Sequence, residues 1–224
     1  KTLTEDFDCW EYVPNPGTNV LPSTWAFKIK RYPDGRVKKF KARFCARGYC
    51  QQEVIDYFET WAPVVQWSTV HIVMILAAKL KLILVQCDIT AAFIYGHVTE
   101  TIYVHQPWGF HRGQGNEVLK LKRTLYGLKQ SPRYFFEYFT ARLIEQGLTA
   151  SKHDPCLFMS NSLIVIIYVD DILKFFPKFD RNKLDTFACY FLLRDLRPIG
   201  LVIYDEISNK KIELHVDYVI PDYR

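Results

Sequence analysis

The segments from Trp25 to Tyr32 and from Arg36 to Ala46 are β-like, with apolar and polar positions alternating from Lys39 to Phe44, and Pro33-Asp34-Gly35 between them suits a tight turn. The pattern predicts a hairpin with strands over 25–32 and 36–46, in which Lys38, Phe40, Ala42 and Phe44 face one way and Lys39, Lys41 and Arg43 the other. A long apolar stretch from Thr69 to Leu82, rich in Ala, Leu and Met, predicts a helix packed in the core. The short run Leu82–Cys87, rich in Ile, Leu and Val, predicts a central strand ending at Asp88, followed by a tighter segment that Gly96 closes. Aromatic and aliphatic residues at helical spacing, among them Tyr134, Phe135, Tyr138, Phe139, Leu143 and Ile144, predict a second helix over about 132–147, with Gly147 as its stop. Tyr134 and Phe135 have the chemistry of base-stacking platforms, but this spacing assigns them to the core. Beyond it lie an apolar hairpin over 163–176 with Asp170-Asp171 at its tip, a helix over 183–193, and a last hairpin over 201–207 and 211–216. The succession predicts an α+β fold, a sheet with helices on one face.

Composition fits a folded chain: 224 residues, 49% hydrophobic and 24% charged, with no low-complexity stretch. No internal repeat is present, and no run reaches the roughly 18 apolar residues of a membrane span. The N-terminus lacks a secretory pattern, so the expectation is a soluble intracellular protein without a membrane partner. The six cysteines form no CxxC pair or His/Cys ligand spacing and read as reduced thiols. The formal charge of +5 is unevenly placed, since the predicted first hairpin carries Lys28, Lys30, Arg31, Arg36, Lys38, Lys39, Lys41 and Arg43, with Arg47 just beyond, against the single acid Asp34. Such a run is either a solvated face or a surface for phosphates, where clustered cations gain affinity by releasing counterions.

Two adjacent carboxylates at an apolar hairpin tip repel one another. Asp is also a common turn residue, so the pair alone has a bland reading. Asp88, a third acid at the end of another apolar strand, changes the balance. Three carboxylates converging from neighbouring strands supply the hard oxygen ligands that a pair of Mg²⁺ ions requires, leaving positions for water and substrate phosphates. That is the donor set of two-metal phosphoryl transfer.

Beside these acids the chain carries Trp25-Ala-Phe-Lys-Ile-Lys30, Phe40-Lys-Ala-Arg-Phe-Cys-Ala-Arg-Gly48, Asp56-Tyr-Phe-Glu-Thr-Trp-Ala-Pro-Val64, Gln86-Cys-Asp-Ile-Thr-Ala-Ala-Phe93, Leu125-Tyr-Gly-Leu-Lys-Gln-Ser-Pro-Arg133, Asp154-Pro-Cys-Leu-Phe158 and Tyr168-Val-Asp-Asp171. In order and spacing these blocks resemble the reverse transcriptase of copia-type retrotransposons. The resemblance implies a right-hand polymerase of fingers and palm, with an antiparallel palm sheet: about 1–85 and 97–135 mainly fingers, about 86–96 and 136–224 mainly palm with a primer-grip hairpin. It implies Asp88, Asp170 and Asp171 as catalytic metal ligands for two Mg²⁺ ions, with Mn²⁺ as a possible substitute. Lys41, Arg43, Arg47, Phe93 and Gln130 are implied at the incoming nucleotide, and Lys129, Arg133 and Tyr168 at the template–primer. Phe93 matches the bulky position beneath the sugar, where a ring crowds a 2′-hydroxyl; taken alone it is equally a core aromatic.

The implied partners are an RNA or DNA template with its primer, deoxynucleoside triphosphates, and the integrase and RNase H regions of the same polyprotein. The expected location is the cytoplasm, inside virus-like particles if the element is active. The expectation is a core without thumb, RNase H or integrase. Departures are also visible. Val54 stands where the family usually has Gly, His71 where Arg is common, and Lys174-Phe-Phe-Pro177 replaces the usual exit from the hairpin. They keep open a decayed or domesticated copy that retains the fold and binds nucleic acid or protein without catalysis. An RNA-dependent RNA polymerase palm is disfavoured by Phe93.

Overall fold

A computed structural model of the chain describes residues 7–89, 91–112, 116–177, 202–205 and 210–213. Strands β1 (Trp10–Pro14), β2 (Val20–Leu21), β3 (Ser23–Arg31) and β4 (Val37–Ala46) lead into helix α1 (Trp67–Leu80), then β5 (Leu82–Asp88), β6 (Tyr103–Val104) and β7 (Glu117–Leu121). Helix α2 (Ser131–Glu145) precedes β8 (Thr149–Ala150), β9 (Leu157–Met159), β10 (Ile164–Tyr168), β11 (Asp171–Pro177), β12 (Val202–Asp205) and β13 (Lys210–Glu213). Contacts divide the chain into two compact units, 1–62 with 91–139 and 63–90 with 140–224, and α2 runs from the first into the second. No helix of the described residues is long and apolar enough to cross a membrane.

The first unit holds the predicted hairpin, β3 on β4, and a four-stranded sheet in the order β1-β7-β6-β2. The β3–β4 register opposes Lys28 to Lys41 and Lys30 to Lys39 on one face, and Phe27 to Ala42 and Ile29 to Phe40 on the other, with a bulge between Lys30 and Arg31. Alternation alone therefore gave the two faces correctly. The four-stranded sheet has no counterpart in the expectations, because β2 and β6 span two residues each, too few to show a period. Its core gathers Trp10, Leu21, Phe44, Ile94, Ile102, Leu119 and Leu125.

The second unit is built on a seven-stranded sheet in the order β13-β12-β5-β11-β10-β9-β8, antiparallel at every pairing. The apolar run ending at Asp88 is indeed a central strand, and both hairpins form. Asp170 sits in the β10–β11 turn, but Asp171 is already the first residue of β11. Helix α1 lies against β5, yet it is not the core helix that its sequence predicts. Only Val73 and Ala77 are buried, one turn apart on one face, while Ile72, Ile75 and Leu80 are exposed. Helix α2 closes as predicted, with Gly147 at φ +81° and the Leu148 amide donating to the Leu143 carbonyl. The predicted helix over 183–193 lies outside the described residues. Cys9, Cys45, Cys50 and Cys156 are free thiols, and burial pushes Cys9 and Cys156 up to about 12.

Two of the departures carry a physical cost. Val54 adopts φ +70°, a left-handed conformation that glycine tolerates and a β-branched residue does not, at roughly 1–2 kcal/mol. Lys174 is buried in β11, opposed by Val165 on one side and Val85 on the other, both themselves buried. A cationic side chain in that row displaces an aliphatic one that the sheet would bury without desolvation. Val54→Gly and Lys174→Ile are therefore expected to stabilise the protein, each by about 1–2 kcal/mol. Denaturant unfolding of the single variants checks this, and a lower midpoint for either would show that the residue makes compensating contacts.

Candidate active site

The acids of the second unit are placed by one ladder. In the register of β5 on β11, Asp88 stands directly opposite Asp171, and six further pairs follow down to Leu82 opposite Pro177. Directly opposed residues of an antiparallel pair have Cα atoms about 4.5–5.5 Å apart. The Ile89 amide donates to the Asp170 carbonyl at 3.2 Å, tying the chain just past Asp88 to the turn itself. The Gln86 side chain donates from Nε2 to Asp171 Oδ1 at 3.3 Å. The side chain of Asp88 is not among those described, and no group of three metal-ligating side chains occurs among the described residues.

The turn is strained. Tyr168 pairs with Asp171, leaving a two-residue loop whose first residue, Val169, has φ +56°. A tight two-residue hairpin requires a positive φ there, and glycine meets it most readily. A β-branched residue holds it at a cost of order 1–3 kcal/mol, and such strain gathers at functional sites. Tyr168 is exposed, its ring centroid 6.5 Å from that of Trp67, the first residue of α1.

In the first unit the expected nucleotide and template residues separate into two groups. Phe93 lies edge-on between Tyr126 at 5.2 Å and Phe135 at 6.3 Å, and its carbonyl accepts from the Thr124 hydroxyl. The Arg43 guanidinium covers the Tyr126 ring at 5.2 Å, and its buried Nε makes no hydrogen bond. Tyr126 thus links two expected site residues, and its place in the Leu125–Arg133 block is the one sequence signal for it. The link depends on a close backbone approach, with the Ala46 amide bonded to the Tyr126 carbonyl at 2.9 Å. A Cβ on Gly48 would collide with the Gly127 carbonyl, and one on Gly127 with that of Ala46, which explains both glycines.

The second group is a polar network. Gln130, expected at the nucleotide, is fully buried; its Nε2 donates to the Asp56 carbonyl at 2.7 Å and its Oε1 accepts from Gln51 Nε2 at 2.9 Å. Gln51 Oε1 in turn accepts from the Lys129 amide at 2.8 Å. The amide of Gln130 is thereby engaged inside the protein, where it holds Lys129 in place. Lys129 is exposed, with Nζ 4.6 Å above the Tyr57 ring centroid and 3.1 Å from its hydroxyl. Arg133 is paired with Glu137 at 2.8 Å, which raises its pKa. Lys41 pairs in register with Lys28, and Arg47, exposed, reaches the Tyr49 hydroxyl at 3.4 Å. Phe135 is buried as expected of a core residue, whereas Tyr134, the preceding residue on α2, is only partly buried and its hydroxyl donates to Glu100.

The family model described as reverse transcriptase (RNA-dependent DNA polymerase) matches residues 7–200. The retrovirus-related Pol polyprotein from transposon TNT 1-94 of Nicotiana tabacum is 36% identical over 211 residues, 88% of this chain and 16% of that polyprotein. The Pol polyprotein from transposon RE1 of Arabidopsis thaliana is 32% identical over 216 residues, 92% of this chain and 15% of the polyprotein. The Gag-Pol polyprotein of transposon Ty1-ER2 of Saccharomyces cerevisiae is 32% identical over 170 residues, 73% and 9% respectively. The chain therefore spans less than a fifth of each of these polyproteins.

Asp154, in the block Asp154–Phe158, has a role that its sequence did not disclose. It is buried, and it holds the N-terminus of α1: Oδ2 accepts from the Gln66 amide at 3.0 Å, Oδ1 from the Cys156 amide at 2.9 Å, and the Thr69 side chain adds a further bond. Burial alone would raise its pKa, but these donors outweigh burial and hold the carboxyl below its ordinary value. A depressed carboxyl adds stability that is present above its unfolded value near ~3.9 and is lost as pH falls through the folded value. Asp154→Ala is expected to cost about 2–3 kcal/mol at neutral pH, by leaving buried donors unpaired. That deficit should shrink below about pH 4, where the wild type surrenders the same bonds. Melting curves from pH 7 to pH 2 check this; a deficit independent of pH would mean that lost packing, not charge, is responsible.

Proposed function

Because the chain belongs to the copia-type branch of the reverse transcriptase (RNA-dependent DNA polymerase) family, we propose that it is an RNA-directed DNA polymerase core that adds deoxynucleotides to a primer 3′-hydroxyl. The observation that carries the reading is the β5–β11 register, which brings Asp88 opposite Asp171 with Asp170 in the adjoining turn. On this reading the seven-stranded sheet is the palm and the basic hairpin belongs to the fingers. Asp88, Asp170 and Asp171 would hold two Mg²⁺ ions; the residue types fit, being hard-oxygen donors, with Asp88 and Asp171 opposed in the backbone register and Asp170 in the turn. Bound magnesium supplies charge neutralisation at the attacking and leaving oxygens of an in-line displacement, with pyrophosphate as the leaving group.

The residues of the chain do the positioning. Gln86 restrains the Asp171 carboxylate, and the Ile89–Asp170 hydrogen bond fixes the turn. Lys41, Arg43 and Arg47 bind the triphosphate by charge, with the Tyr126 ring beneath Arg43 limiting where that guanidinium can go. Phe93, braced by Tyr126 and Phe135, occupies the volume that a 2′-hydroxyl would need. Lys129, held by Gln51, and Arg133 contact the template–primer together with Tyr168. The template, the deoxynucleotides, the integrase and RNase H regions, and a cytoplasmic virus-like particle complete the setting. A second reading, a decayed copy that binds without catalysis, is favoured by Val54 and Lys174, whose costs fall outside the acid turn.

Primer extension with Mg²⁺ on a primed RNA template separates the two readings. Asp170→Asn is expected to abolish extension while leaving the metal-free melting temperature unchanged or slightly raised, since it removes one of several clustered charges. A sharp fall in melting temperature would identify Asp170 as a structural partner instead. Phe93→Ala is expected to raise the ratio of ribo- to deoxynucleotide incorporation in the active polymerase. An unchanged ratio returns Phe93 to the role of a core aromatic.

A further inference from the structure

Trp67 is 70% exposed, yet it is held in place. It opens α1, whose first turn is fixed by the buried Asp154 through the Gln66 amide and the Thr69 side chain. Its ring centroid lies 6.5 Å from that of Tyr168 and 6.2 Å from that of His71, one turn further along the helix. Tyr168 pairs in register with Asp171 and precedes the acid turn by one residue. Three rings, with Trp67 between the other two, thus run from the first turn of α1 to the edge of the acid turn, within one compact unit. An isolated exposed aromatic requires no explanation. An indole fixed at its backbone by a buried charged cap, left largely open to solvent and touching the neighbour of a catalytic carboxylate, has the properties of a ligand contact.

We propose that Trp67 is a positioning residue for the primer strand: its indole and the Tyr168 ring form an aromatic wall against which the terminal primer nucleotides lie when the 3′-hydroxyl meets the acids. The inference rests on the polymerase reading above and extends it. The primer is favoured over the template because it is the strand that ends at the acids, and Tyr168 connects the wall directly to them. Aromatic contact of this kind tolerates any base and releases no counterions. His71 is exposed on the same wall, and Arg at that position would bring a guanidinium to a backbone phosphate.

The test is equilibrium binding of a fluorescent primer–template across a range of salt, with 2-aminopurine at either the primer terminus or the template overhang. Trp67→Ala should weaken binding by about 5- to 100-fold, the range of a single aromatic stack, with the salt slope and melting temperature unchanged. Trp67→Phe should recover most of the affinity, and His71→Arg should tighten binding and steepen the salt slope by about one. Quenching of 2-aminopurine at the primer terminus should diminish in Trp67→Ala, while the template probe is unaffected. If the wild type binds and Trp67→Ala binds equally well, or the template probe alone responds, the primer wall is wrong and the polymerase reading stands. If the wild-type chain binds no primer–template at any salt, both fall.

Discussion

The pairing of β5 with β11 is the constraint on which the candidate chemistry depends. Side chains of a strand alternate between faces, so a slip of one residue in this ladder would remove Asp171 from its place opposite Asp88 and invert every side chain behind it. Both faces of the ladder are buried behind the acids, Val85 and Ile172 on one and Phe175 on the other, and a slip would exchange the faces of these closely packed side chains. Apolar sheet and polar tip are therefore one device. The hydrophobic ladder holds the acids in register, the Ile89 amide ties the turn through the Asp170 carbonyl, and the Gln86 side chain donates to the Asp171 carboxylate.

In the first unit, support for the expected site residues is polar and local. Gln51, Asp56 and Gln130 are buried and hydrogen-bonded to one another's side chains or backbone, with Asn19 donating to Asp56 from the edge. A satisfied buried network specifies one arrangement, because any displacement leaves donors unpaired in low dielectric. Lys129 gains its position from this network without being buried itself. Asp154 acts in the same way for α1 in the second unit. Family blocks that look like catalytic signatures thus contain, beside the expected site residues, groups that hold them in place.

Much of this was legible in the sequence for a definite reason. The β3–β4 hairpin, β5, the β10–β11 hairpin and α2 have periods or stop signals longer than a few residues, and their acids and cations follow from where those elements end. The two-residue strands β2 and β6 carry no period, so the four-stranded sheet was invisible. Helix α1 departs from its core expectation because apolar content does not determine burial; burial depends on which face is covered, and only Val73 and Ala77 are. The internal hydrogen bonds of Gln130 and the capping role of Asp154 are not legible in the sequence. In each case the type of residue was informative and its partner, more than 70 positions away in the chain, was not.

The costly residues are distributed unevenly, and the distribution bears on whether the chain still works. Val169 is strained within the acid turn itself, flanked by Tyr168 and Asp170. Strain there is compatible with function, since a tight turn that orients a carboxylate is the kind of place where it is retained. Val54 and Lys174 are different: one strains an exposed turn of the first unit, the other places a lysine between two valines, and neither reaches the acids in the register. Decay without selection would spare no class of residue, yet the acids, the glycines behind Tyr126 and the Asp154 cap are intact. Val54 lies away from the β5–β11 ladder, whereas Lys174 occupies a rung of it three residues beyond Asp171. A protein so arranged loses tolerance to heat and further substitution before it loses its mechanism, so weak activity in this chain would reflect the fraction folded before it reflected a damaged site.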